Sequence, residues 1–246
     1  PLSRLVKVEL RKLADTRAGL WLLIAVLAIS VAATVIVILV AGDAQMTHQT
    51  FITAIGSPLS VLLPVVAILS VTSEWSQRTG LVTFTLEPRR GRTVVAKLLA
   101  VLLTGLVTIV IAIGLAAVAT VVGAAVNGVD PTWNLGFDGA AGWLLVQVLG
   151  LLCAFAFATV LRNSAAAIVI YYAYIFVVSS LFGALAAFQQ WFSDIWPWVE
   201  LNRAQTPLFD ASMTGENWAQ LATASAIWIV LPMVVGVWTL LRSEVK

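Results

Sequence analysis

Charge is scarce in this sequence. Asp, Glu, Lys and Arg make up 11% of its 246 residues, against about 25% in an ordinary soluble domain, while apolar types reach 61%. A water-soluble fold has no means of hiding that much apolar surface. The 14 basic and 12 acidic residues leave a net charge of +2, which offers a nucleic acid no broad basic face. Cysteine occurs once, so no intrachain disulfide can form, and Cys153 reads as a small buried hydrophobe inside an apolar run. Histidine also occurs once, and His48, beside Thr47 and Gln49, reads as a solvated loop residue rather than a ligand or base. Neither H-E-x-x-H nor G-x-x-x-x-G-K-[ST] is present, which argues against a zinc hydrolase and a P-loop nucleotidase. With no nucleophile and base at membrane depth, membrane hydrolysis loses its chemistry as well. The chain is therefore read as a non-enzyme with no metal or cofactor site of its own.

What the sequence has is apolar length. Six stretches contain no Asp, Glu, Lys or Arg and reach the ~20 residues a helix needs to cross a bilayer: 18–41, 51–73, 98–126, 139–161, 164–187 and 218–241. The expected fold is an all-α polytopic membrane protein, one transmembrane domain over 1–246. Arg162 and Asn163 alone separate the fourth and fifth spans, which predicts an antiparallel hairpin. Pro58, Pro64 and Pro232 fall inside spans and predict kinks. The first apolar stretch is too long for a signal h-region and follows a segment carrying Glu9 and Asp15, so it reads as a retained anchor.

Orientation follows from the basic residues, which are retained on the cytoplasmic side. Arg4, Lys7, Arg11, Lys12 and Arg17 precede the first span; Arg78, Arg89, Arg90, Arg92 and Lys97 lie between the second and third; Arg162, Arg242 and Lys246 complete the set. That places 13 of 14 on one side, Arg203 being the exception. Asp43, Asp130, Asp138, Asp194, Glu200, Asp210 and Glu216 fall on the other. The expectation is a multi-pass protein of the cell membrane with both termini cytoplasmic.

Three segments outside the spans carry pattern. In 1–17, Leu2, Leu5, Val6, Leu10 and Leu13 share one helical arc and Arg4, Lys7, Arg11 and Asp15 the opposite one, predicting an amphipathic interfacial helix in contact with membrane lipid. Glu9 intrudes on the apolar arc, and Lys12 sits at its edge. The segment 74–97 is too long for a turn and mixes charge with Trp75, Leu81, Val82, Phe84 and Leu86 until Pro88 stops any helix. Val82 to Leu86 also alternates apolar and polar residues as a strand would, so a helix is the preferred reading and a strand the alternative. As a helix it either dips into the lipid surface or docks into a groove on a cytoplasmic protein, with Phe84 as anchor and Glu74 and Arg78 setting the angle. The external loop 188–217 is dense in Trp and Phe, which suits the headgroup layer.

Polar side chains at membrane depth are few. Gln147, Tyr171, Tyr174 and Ser179 are the candidates for a substrate pathway, weighed against a purely structural role in the core. Ser179, Gly183 and Ala187 repeat small residues every four positions, a spacing that permits close helix approach in a dimer or within the fold. The absence of ionisable groups from the spans counts against an ion-coupled secondary transporter, since a proton or cation must be held there.

The run Glu74-Trp75-Ser76-Gln77-Arg78-Thr79-Gly80, then Thr83-Phe84-Thr85-Leu86, then Pro88-Arg89-Arg90-Gly91-Arg92 with Lys97, resembles the signature of bacterial ABC-2 type transporter permeases, above all their actinobacterial branch. It departs at Thr79-Gly80, where many members read Gly-Thr. The resemblance covers the whole chain in length, span number and amphipathic first helix. It implies that 74–97 is a coupling helix, with Glu74, Arg78, Thr79, Gly80, Phe84, Pro88, Arg89 and Arg92 facing a separate cytoplasmic ABC ATPase that holds the ATP and Mg. It also implies a dimer with a second permease copy, identical or not, and export of a cargo that the motif does not identify. The alternatives are a membrane scaffold or binding subunit that transports nothing, and an ion-coupled transporter whose unwound helices bind the ion through carbonyls.

Overall fold

The structure, a computed structural model, describes residues 2–42, 46–76 and 90–242. Asp43, Lys246 and the segment 77–89, which contains Arg78, Thr79, Gly80, Phe84, Pro88 and Arg89 and with them the expected coupling helix, lie outside the described residues.

The described chain is all-α, and six of its helices are long and apolar enough to cross a membrane. We number them in chain order with the shorter ones. The amphipathic α1 spans Leu2–Asp15 and α2 Arg17–Val40; α3 covers His48–Ser76, α4 Arg90–Asn127 and α5 Phe137–Leu161. Two short helices, α7 at Gln190–Val199 and α8 at Leu201–Phe209, separate α6, Ser164–Phe188, from α9, Gly215–Arg242. Such an arrangement makes the chain a multi-pass membrane protein.

Burial sorts the spans. α3 and α5 are each half buried and form the centre, whereas only 11% of the α2 span is buried, leaving Leu20, Trp21, Ile24, Leu27 and Ile36 exposed. In a bilayer such a helix faces lipid, because acyl chains solvate an apolar surface at no cost. Small residues bring the central helices together. A Cβ on Gly236 of α9 would run into both the side chain and the backbone of Thr159 on α5. Arg162 closes α5 in a left-handed conformation (φ 51°), and the Asn163 side chain caps α6 by accepting from the Ala166 N–H at 2.9 Å. This two-residue turn makes the α5–α6 hairpin.

Helix α4 begins earlier than charge content suggests. Its first two turns, Arg90 to Lys97, read as surface connection in the sequence, yet the helix runs unbroken for 38 residues, about 57 Å at helical rise. That exceeds the ~30 Å of a hydrocarbon core, so α4 projects beyond it. Thr93 and Lys97 in these turns are buried, because α1 packs across them.

One end of the bundle gathers α1, the end of α3, the start of α4, the Arg162 turn and the end of α9. Contacts fix the grouping: Thr72 of α3 meets Ser164 of α6 at 2.8 Å, and Arg162 donates to Thr239 of α9 at 2.6 Å. We call this the basic end. At the other end the Thr132 carbonyl accepts from the His48 N–H at 2.9 Å, and α7 and α8 form a cap.

His48 departs from its sequence reading. It is the first residue of α3 rather than part of a solvated loop, and it is 7% exposed. Its ring lies 3.3 Å from the Thr120 hydroxyl and against Trp133, because α3 starts deep enough to press its first turn onto α4.

Candidate functional site

Two polar clusters, one at each end of the bundle, are built on buried carboxylates, Glu9 and Glu200. The basic-end cluster starts from Glu9. On the apolar arc of α1 a carboxylate is costly to bury unless it is paired. The structure supplies the pair: Glu9 Oε2 lies 2.8 Å from Lys97 Nζ of α4, and Oε1 lies 2.8 Å from Lys12 Nζ one turn along α1. The Lys97 ammonium also donates to the Ser70 carbonyl of α3 at 3.1 Å. Glu9 and Lys97 are 7% and 4% exposed, so this ion pair is shielded from solvent. One carboxylate and one ammonium thus join α1, the last turns of α3 and the first turns of α4. Those are the helix ends that flank 77–89. Of the expected docking residues, Glu74 falls in the last turn of α3, and Arg92 is half-buried in the first turn of α4.

At the basic end Arg162 is also partly buried. Burial lowers the pKa of its guanidinium from the ordinary value, and the Thr239 hydroxyl accepts a hydrogen bond from it. Arginine tolerates this position because it stays charged even when partly desolvated.

The second cluster is built on Glu200, which separates α7 from α8. Backbone at φ −127° and ψ 123° places it as the N-cap of α8, and its carboxylate accepts from the Asn202 N–H at 3.0 Å and the Arg203 N–H at 2.8 Å. The Ser179 hydroxyl of α6 donates to the same carboxylate at 2.9 Å, and Asn202 Nδ2 donates to Ser179 Oγ at 2.9 Å. Glu200 is 1% exposed. Beside it the Tyr174 hydroxyl accepts from the Leu201 N–H at 3.2 Å, and the Trp228 indole donates to the Val199 carbonyl at 2.7 Å. The Tyr174 and Trp228 rings stack at 3.9 Å.

Both rings sit on π-helical turns, Ala173–Val178 in α6 and Ala226–Val230 in α9. The Ser179 N–H bonds to Tyr174 O and the Leu231 N–H to Ala226 O, five residues back in each case. Pro232 follows the second π turn. Having no N–H, it leaves the Trp228 carbonyl without its α-helical donor, and Cys153 Sγ approaches that oxygen at 3.6 Å. Such π turns occur disproportionately where helices carry function.

The four polar candidates within the spans divide between structure and this cluster. Tyr174 and Ser179 belong to it. Gln147 instead joins α5 to α3, accepting from the Ser60 hydroxyl at 2.8 Å, and Tyr171 is buried with its hydroxyl 3.5 Å from the Gly150 carbonyl. In the small-residue repeat, Ser179 is taken by Glu200, and a Cβ added to Gly183 would lie 3.4 Å from the Trp196 ring, so both serve packing within the fold. Glu200 itself was counted in the sequence only as an outer-side charge. Its local signal is an acid directly before a polar, helix-forming stretch, Leu201-Asn202-Arg203.

No family model matches the chain, and no curated protein matches it.

Proposed function

We propose that the chain is the membrane permease subunit of an ATP-driven ABC-2 type exporter, working with a separate cytoplasmic ATPase and a second permease copy. The observation that carries this reading is the Glu9–Lys97 ion pair with its bond to the Ser70 carbonyl. A segment that receives force from a partner needs its two roots held together; otherwise a push on it bends the roots instead of moving the helices. Here the roots, the end of α3 and the start of α4, are clamped to each other and to α1 by charge. The sequence between them carries the family-like run ending in Pro88-Arg89-Arg90-Gly91-Arg92. The gathering of basic residues at this end supports a cytoplasmic location for it and a cell-membrane location for the protein.

In this reading ATP and Mg belong to the partner, and the permease contributes no catalytic residue. Phe84 and Arg78 dock the partner; α1, α3 and α4 carry its motion into the spans. The test is co-purification with the cognate ATPase, followed by ATPase and export assays in proteoliposomes. Phe84→Ala with Arg78→Ala is expected to abolish partner retention. Lys97→Met is expected to keep the partner bound while uncoupling ATP hydrolysis from transport. Retention and transport unchanged in the first variant would overturn the docking assignment.

A further inference from the structure

Between α2, α3 and α4 lies a cavity of about 680 Å³ that neither polar cluster touches. Its walls include Leu23 and Leu27 of α2, Leu59 of α3, and Leu103 and Thr104 of α4, and Leu10 of α1 closes it toward the basic end. None of the four polar candidates within the spans lines it. It exists because α2 packs on α3 and hardly on α4, leaving a wedge between them.

The wedge opens to the outside of the bundle, where its lining residues Leu27, Leu103, Val107 and Ile111 are exposed, and its volume leaves room for a run of methylene groups. Unfilled, that lining lacks the dispersion contacts that packed apolar atoms supply. The apolar material available at this depth is acyl chain. The helix above the wedge adds a second constraint. Lys7, exposed on α1, stands one turn before the Leu10 that closes the wedge, and Arg4 and Arg11 are exposed beside it. A phosphate at the surface beside α1 would meet these cations while its chain entered the wedge, and basic side chains at a membrane surface favour anionic headgroups.

We infer that this wedge holds one acyl chain of an anionic phospholipid, with its phosphate on the basic face of α1. Occupancy fills the gap that the packing of α2 on α3 leaves beside α4 and backs Leu10 of α1, so the lipid is part of the packed state of the protein rather than passing solvent.

Native mass spectrometry of the purified chain tests this, using phosphatidylglycerol and phosphatidylcholine with identical acyl chains. The wild type is expected to retain one phosphatidylglycerol in preference to phosphatidylcholine. Thr104→Trp, which fills the wedge, is expected to lose retention of both. The triple variant Arg4→Gln, Lys7→Gln, Arg11→Gln changes exposed side chains only; it is expected to keep one lipid and lose about tenfold of the anionic preference. If the tryptophan variant does not fold, the triple variant alone decides. Undiminished anionic preference in the triple variant, or undiminished retention in a folded Thr104→Trp, would overturn the inference. So would spontaneous disulfide dimerisation of Leu103→Cys with lipid excluded, which would make a second copy the occupant.

Discussion

Lys97 is the residue on which the basic end depends. Removing one partner of a buried ion pair strands the other charge, a loss of about 3–5 kcal/mol, whereas replacing both by apolar groups is often neutral. In Lys97→Met the Glu9 carboxylate keeps Lys12, so unfolding resistance in a detergent denaturation series should fall by less than that full amount, about 2 kcal/mol, and Glu9→Leu with Lys97→Met should recover most of it. A double variant as unstable as the single would mean that the pair is not what holds α1 on α4. Glu200 admits a different test because it caps a helix. Glu200→Ala exposes the Asn202 and Arg203 N–H groups, costing about 1 kcal/mol or more, while Glu200→Gln keeps an acceptor. Hydrogen exchange over 201–209 should accelerate in the alanine variant and change little in the glutamine variant.

At the scale of helices, contact between α5 and α9 depends on Gly236 facing Thr159. Gly236→Ala has to push the two helices apart, since part of the obstruction is backbone, and an overpacked site of this kind costs about 1–3 kcal/mol. The expected readout is a lower thermal midpoint in detergent, with Gly183→Ala, which meets only a Trp196 ring edge, as the milder comparison. The spans were readable because an uncharged run of bilayer length has few alternatives, and the Arg162-Asn163 turn because two residues leave room for nothing else. The start of α4 was not readable from charge. Arg90, Arg92 and Lys97 resemble loop, yet a helix continues past the lipid surface wherever another element covers it, and α1 does so here. The π turns are not encoded locally for a related reason: Tyr174 and Trp228 acquire their positions from contacts to Leu201 and Val199 in α8 and α7. Glu9 and Lys97 looked like an intrusion and a surface charge because they are 88 residues apart, and their pairing exists only once α1 has folded back.

For the whole molecule, the bias of Lys and Arg toward one end leads to a topology prediction. Cys153 is 1% exposed and therefore silent toward thiol reagents, which makes the native chain a clean background. Asp130→Cys and Ser212→Cys, both exposed positions at the capped end, should react with a membrane-impermeant maleimide in intact cells. Ser3→Cys, exposed on α1, should react only after permeabilisation. The reverse pattern would invert the protein and remove the basis for placing an ATPase at the basic end.

The paired π turns have a consequence for motion. A π turn stores one surplus residue; if that residue is passed along the helix and released, everything beyond it is re-registered by about 100° and 1.5 Å. In α6 and α9 the rings of Tyr174 and Trp228 stack on each other, and the Phe157 ring of α5 lies beside both. A surplus residue released from either helix therefore carries its ring off the other, so a change of pitch in α6 or α9 is felt at the Glu200 cluster that both rings border.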